Sequence, residues 1–104
     1  MENARAVGAY LRQGLETLAQ RHDLIGDVRG TGLFIGVELV RDRSSLEPAS
    51  EETARVVNGL RDRRVLIGSA GPFANILKIR PPLPFSRDNA DLFLATLDDV
   101  LAAL

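Results

Sequence analysis

The sequence predicts an α+β fold: a small, mainly antiparallel sheet with helices packed on one side, its elements in the order α-β-β-α-β-β-α. Three observations predict it. Apolar residues recur at three- and four-residue steps near both ends of the chain, which places them on one stripe of a helix. A middle segment opens on acidic residues and closes on basic ones, as the helix macrodipole favours. Between these segments lie short β-branched runs punctuated by glycine and proline.

From Ala4 to Gln20 the stripe is Val7, Tyr10, Leu11, Leu15 and Leu18, with Asn3 as the expected N-cap and His22-Asp23 as the stop. Leu24 to Val28 is a short apolar strand. Arg29-Gly30-Thr31-Gly32 is the expected reversal, because glycine supplies the positive φ of a tight turn, and Leu33 to Val40 returns as the second strand of a hairpin. Arg41 to Ser50, charged and containing Pro48, reads as a surface loop. Ser50 is the expected cap of a helix over Glu51 to Arg63. Val65-Leu66-Ile67 is the expected third strand, closed by Gly68, and Gly71-Pro72 marks a loop. Asn75 to Arg80 is the fourth strand; Pro81-Pro82 cannot donate to a ladder and ends it. Ser86 then caps a last helix from Arg87 to Ala103, burying Ala90, Phe93, Leu94, Leu97, Val100 and Leu101.

The 104 residues, 45% hydrophobic, form one domain over 1–104 with a single core and no second lobe. Thirteen basic side chains against fourteen acidic ones leave a formal charge of −1, which gives no electrostatic footprint for nucleic acid or an anionic membrane. Without cysteine there is no disulfide, thiolate metal site or Cys nucleophile. No apolar run approaches a signal peptide or a membrane span, so a cytoplasmic setting is the default. The helical pattern begins almost at Met1, as expected of a fragment of a longer protein.

Several clusters invite a chemical reading. Gly30, Gly32 and Gly36 are spaced G-x-G-x-x-x-G and run into a strand, whereas a dinucleotide fingerprint needs a helix there; the hairpin is the better account. The run Arg61-Asp62-Arg63-Arg64, with Arg5, Arg12, Arg21 and Arg55, suggests an anion patch, but charge runs at helix ends are usually a solvated face. His22, the single histidine, supports neither a catalytic triad nor a metal site. The basic residues are twelve Arg and one Lys. That lysine, Lys78, lies in Ile76-Leu77-Lys78-Ile79-Arg80, where alternation puts Lys78 and Arg80 on one face and Leu77 and Ile79 on the other. Two such cations can hold a carboxylate or phosphate; equally, they are the kind of charge that protects an edge strand.

Taken together, three segments resemble one family. The stretch Ile25-Gly26-Asp27-Val28-Arg29-Gly30-Thr31-Gly32-Leu33-Phe34-Ile35-Gly36-Val37-Glu38-Leu39, then Arg64-Val65-Leu66-Ile67 after a helix, then Leu77-Lys78-Ile79-Arg80-Pro81-Pro82-Leu83 and its capped helix are similar to the C-terminal small domain of class III (ornithine and 4-aminobutyrate type) pyridoxal-phosphate aminotransferases. The resemblance covers nearly the whole chain. It implies a large domain elsewhere in the enzyme, usually a homodimer, that carries pyridoxal phosphate on its own lysine, while this domain closes over an amine or amino-acid substrate. In many members a basic residue before the Pro-rich turn holds the substrate carboxylate. That position falls on Lys78, with Arg80 two places on, and the family's commoner Arg is here a Lys. The branch with this pattern uses varied amino donors, among them ω-amino acids and phosphorylated amino alcohols.

The expectation is therefore a substrate-closing domain, with Lys78 and Arg80 as substrate contacts and no catalytic, cofactor or metal residue of its own. Alone it is expected to be inactive and to bind no cofactor. The alternative is a stand-alone α+β interaction module; a nucleic-acid binder would need basic excess and exposed aromatic residues.

Overall fold

The computed structural model describes residues 2–31, 34–81 and 85–104. Helix α1 (Glu2–Arg21) leads into strands β1 (Ile25–Thr31), β2 (Phe34–Asp42) and the two-residue β3 (Glu47–Pro48). Helix α2 (Ser50–Asp62), strands β4 (Gly68–Ala70) and β5 (Ile76–Ile79), and helix α3 (Arg87–Ala102) follow. The sheet order is β1-β2-β5-β4, antiparallel throughout, with β3 paired to the far end of β2. The predicted order of elements holds, with β3 as an addition.

The sheet register explains the two layers. Val37 of β2 stands opposite Val28 of β1 and Leu77 of β5, and Ile35 stands opposite Ile79. All five are buried, and they share one core with Leu11, Leu15 and Leu18 of α1, Val56 and Leu60 of α2, and Phe93 and Leu97 of α3. The three helices thus cover one sheet face, because only that face alternates into apolar side chains.

Several boundaries differ from the sequence expectation for physical reasons. Helix α1 already includes Glu2, so Asn3 lies within its first turn rather than at the cap. Arg29, Gly30 and Thr31 pair with Gly36, Ile35 and Phe34, so they extend β1 instead of turning; the reversal itself, with Gly32 and Leu33, lies outside the described residues. Ser50 is the first residue of α2, whose N-cap is Ala49 without a side-chain cap bond; the Ser50 hydroxyl donates instead to the Phe73 carbonyl. At the other end of α2, Val65 N–H bonds the Leu60 carbonyl (2.8 Å) and Arg64 N–H bonds the Arg61 carbonyl (2.9 Å). This double closure draws Val65 back onto the helix, so Val65–Ile67 is not a strand and the ladder starts only at Gly68. Strand β5 is flanked by β2 and β4, so its charges do not guard a sheet edge. Pro82 lies outside the described residues.

The last helix is capped as predicted. Ser86 accepts from the Asn89 N–H at 3.1 Å, and the Asn89 side chain accepts in return from the Ser86 N–H at 3.1 Å. Of its expected buried face only Leu94 is partly exposed. His22, at the end of α1, donates from Nε2 to Asp98 Oδ1 of α3 at 2.6 Å, and Arg21 reaches Asp98 Oδ2 at 3.1 Å. The His22 hydrogen bond, reinforced by the charges of Arg21 and His22, holds the Asp98 carboxyl below its ordinary value of 3.8. A carboxyl whose folded pKa is depressed stabilises the fold above its unfolded pKa, and that contribution fades as pH falls through the lower, folded value. Asp98→Asn is therefore expected to melt below the parent at pH 7, with the gap closing in melts taken below pH 3.8. A gap that stays constant down to that acid range would show that the carboxylate charge is not what joins α1 to α3.

Candidate functional site on the open face of the sheet

The sheet face away from the helices carries the polar chemistry. One cross-strand row reads Arg29 (β1), Gly36 (β2), Lys78 (β5), Gly68 (β4); the adjacent row reads Asp27, Glu38, Ile76, Ala70. Lys78 is half-buried between two glycines. At Gly68 a Cβ would meet nothing within 4 Å, and at Gly36 it would meet only the Ile76 methyl at 3.3 Å. The two residues directly opposite Lys78 on the neighbouring strands thus carry no side chain, and strand glycines commonly mark the close approach of a ligand or another backbone.

The acids of this face are engaged elsewhere. Arg29 donates to Asp27 at 2.8 Å and to Glu38 at 2.9 Å, and the Glu38 bond, followed by that to Asp27, raises the Arg29 pKa further. Among the described residues neither Lys78 nor Arg80 has a carboxylate at salt-bridge distance. Arg80, exposed, lies over the Phe34 ring with its guanidinium carbon 4.9 Å from the centroid. That stacking orients the guanidinium beside the end of the hairpin and leaves its N–H edge available.

Beyond Lys78, where β5 leaves the sheet, a groove of about 670 Å³ opens between the segment 64–69 and the first turns of α3. Arg64, Lys78 and Arg80 line it together with Ser69, and Leu66 and Leu92 form part of its apolar walls. Leu66 and Leu92 are 80% and 67% exposed, large values for leucines, so these walls are an unfinished surface.

Both predicted site residues thus fall on one face, and Lys78 and Arg80 line one groove. Gly36, Gly68 and Arg64 were not singled out as parts of that site by sequence. For the two glycines the signal was present, as glycine inside or beside a strand, but their common row with Lys78 depends on sheet order. Pyridoxal phosphate requires a Schiff-base lysine and an acid or other partner at its ring nitrogen. Lys78 is the only lysine in the sequence, and among the described residues no carboxylate lines the groove around it. The residues of this chain do not fit the cofactor.

The fold is that of the small domain of solved aminotransferases. A phospholyase from Arthrobacter, solved in complex with phosphoethanolamine, superposes with a TM-score of 0.92 at 43% identity, over 98% of this chain and 24% of its own. A Bacillus anthracis aminotransferase superposes with a TM-score of 0.91 at 31% identity, over 99% of this chain and 24% of its own. The model of the class III aminotransferase family matches residues 1–101, and the chain belongs to that family. In sequence it is 46% identical over 97 residues to the mitochondrial alanine–glyoxylate aminotransferase 2 homolog 2 of Arabidopsis thaliana, which covers 93% of this chain and 20% of that protein. The chain spans about a fifth to a quarter of the length of such relatives.

Proposed function

We propose that this chain is the C-terminal small domain of a pyridoxal-phosphate-dependent aminotransferase and supplies the substrate-closing side of its active site. The reaction is transfer of an amino group from an amine or amino acid to a 2-oxo acid. The observation that carries the reading is Lys78: a half-buried cation on an inner strand, bordered by Gly36 and Gly68, with no carboxylate partner among the described residues. A cation left unpaired in such a setting is balanced by a ligand anion more readily than by the protein.

In this reading the large domain of the same polypeptide, in a homodimer, holds the cofactor, which supplies the electron sink for the chemistry at the amine carbon. The residues of the small domain do something simpler. Lys78 takes the substrate's anionic group as a point charge, Arg80 adds a second cation beside it, and the surrounding surface displaces water as the domain closes. No helix among the described residues is long and apolar enough to cross a membrane, and we place the enzyme in the cytoplasm. The Arabidopsis relative is named as mitochondrial, so compartment is a property to test for each member.

The isolated chain is expected to be inactive and to leave added pyridoxal phosphate free. Titration followed by absorbance and by equilibrium dialysis checks this. Stoichiometric, tight binding of the cofactor by the 104-residue chain would overturn the division of labour.

A further inference from the structure

We infer that Phe34 is the positioning residue for Arg80, its ring holding the guanidinium where it meets the substrate's anionic group; this role rests on the reading of Arg80 as a substrate contact and adds the β1–β2 hairpin to the binding machinery.

The backbone alone does not place Arg80. Strand β5 ends at Ile79, paired with Ile35 of β2, and Pro81, next after Arg80, has no N–H to bond. Arg80 is exposed, and among the described residues no carboxylate stands at salt-bridge distance from it. A long side chain in that place is spread over many rotamers unless something holds it.

Phe34 supplies the hold. One step past the Ile35–Ile79 pair, the antiparallel register puts Phe34 across from Arg80. Ile35 and Ile79 are buried, so alternation turns Phe34 and Arg80 to the open face. There the guanidinium carbon stands 4.9 Å from the ring centroid, within reach of a cation–π contact. Single exposed apolar residues are ordinary, so the 45% exposure of Phe34 says little by itself; the cation over its ring gives that exposure a use.

The ring stands on a braced support. Phe34 pairs with Thr31 across the hairpin, and Ile35, next in β2, is in the core. Gly30, without a side chain, lets β1 close up against the Phe34 carbonyl, while its own carbonyl accepts from Arg12 of α1 at 2.8 Å. The helical layer thus holds the hairpin, and the hairpin presents the ring. A guanidinium ordered before the anion arrives loses less freedom when the anion binds.

The test uses the full-length enzyme carrying this domain and two probes: β-alanine, which ends in a carboxylate, and β-alaninamide, which has the same chain without the charge. Each is read as KM where it is turned over and as Ki where it only competes. Phe34→Leu keeps an apolar side chain and removes the aromatic face. It is expected to raise the β-alanine value about two- to fivefold, the size of an exposed cation–π contact, with the loss in KM rather than kcat. β-Alaninamide, with no charge for the guanidinium to meet, should change by less than about 1.5-fold. Phe34→Tyr restores the aromatic face and should recover the loss. In an Arg80→Ala background Phe34→Leu should have no further effect.

A loss that persists undiminished in the Arg80→Ala background overturns the inference, because the ring then acts through something other than Arg80. Equal weakening of the acid and the amide, or failure of Phe34→Tyr to recover the loss, overturns it as well. If Arg80→Ala weakens β-alanine and Phe34→Leu does not, Arg80 remains a substrate contact and only the role of Phe34 falls. If Arg80→Ala also leaves β-alanine unchanged, or the parent enzyme binds β-alanine no better than its amide, Arg80 meets no substrate anion, and the role of Phe34 falls with that reading.

Discussion

Lys78→Ala in the full-length enzyme is expected to lower kcat/KM for its anionic amine by roughly 30- to 1000-fold, or about 2 to 4 kcal/mol. The size follows from where Lys78 stands. It is half-buried on an inner strand, so its field is less screened than that of a surface lysine, and no carboxylate among the described residues shares it. The loss should fall on KM when the anion is held equally in ground and transition states, and on kcat when domain closure depends on it. Arg80→Ala is expected to cost less, because the guanidinium is exposed and part of its interaction is with the Phe34 ring. Lys78→Arg should retain much of the activity: Gly36 and Gly68 leave lateral room for the larger head group, which would approach the anion as a fork. Kinetics with the three variants decide the matter. If Lys78→Ala and Arg80→Ala both leave kcat/KM unchanged, the two cations do not touch substrate.

How far the site was legible in sequence depended on the range of the interaction involved. Alternation within Ile76–Ile79 is local, so Lys78 and Leu77 were correctly assigned to opposite faces, and the burial of Leu77 and Ile79 agrees. The Ser86–Asn89 cap and the buried stripe of α3 are equally local. What one strand cannot disclose is its neighbours. That β5 lies between β2 and β4, rather than at an edge, decides against the protective reading of its charges, and it is a consequence of pairing across about forty residues of chain on the β2 side.

The misplaced strand at Val65–Ile67 has a related cause. Three apolar β-branched or large residues favour extension, but the Val65 N–H is taken by Leu60 at the helix end, and Leu66 is left facing solvent. Ser50 shows the same override of a local rule: a good capping residue is displaced by one position because its hydroxyl finds the Phe73 carbonyl across the fold. In both places a tertiary contact outcompetes a local preference. At Arg64 the mismatch remains unrelieved, with a positive φ at a non-glycine residue, and it lies on the groove.

Gly30→Ala is expected to destabilise the domain by roughly 3 to 5 kcal/mol, a large share of the ~5 to 15 kcal/mol available to a domain. Gly30 has φ +126°, and a Cβ built on it would lie 2.2 Å from the Phe34 carbonyl oxygen and 2.9 Å from the Ile35 Cα. Both neighbours are backbone, so no side chain can rotate away; the hairpin pairing of Gly30 with Ile35 must open instead. The Gly30 carbonyl also accepts from Arg12 at 2.8 Å, so opening the hairpin loosens its tie to α1. Since ~1 kcal/mol moves the melting point of a domain this size by about 4 to 8 °C, the melt should fall by at least about 12 °C. Gly68→Ala is the matched control: its Cβ would meet nothing within 4 Å, and its melt is expected within about 3 °C of the parent. The two glycines look alike in sequence, and only the backbone around them separates a required residue from a tolerated one. Phe34, whose carbonyl meets the new methyl, is also the ring under Arg80, so the hairpin change should reach the groove as well. A Gly30→Ala domain that melts with its parent would show that the hairpin can rearrange without cost, and the rigid placement of Phe34 under Arg80 would fall with it.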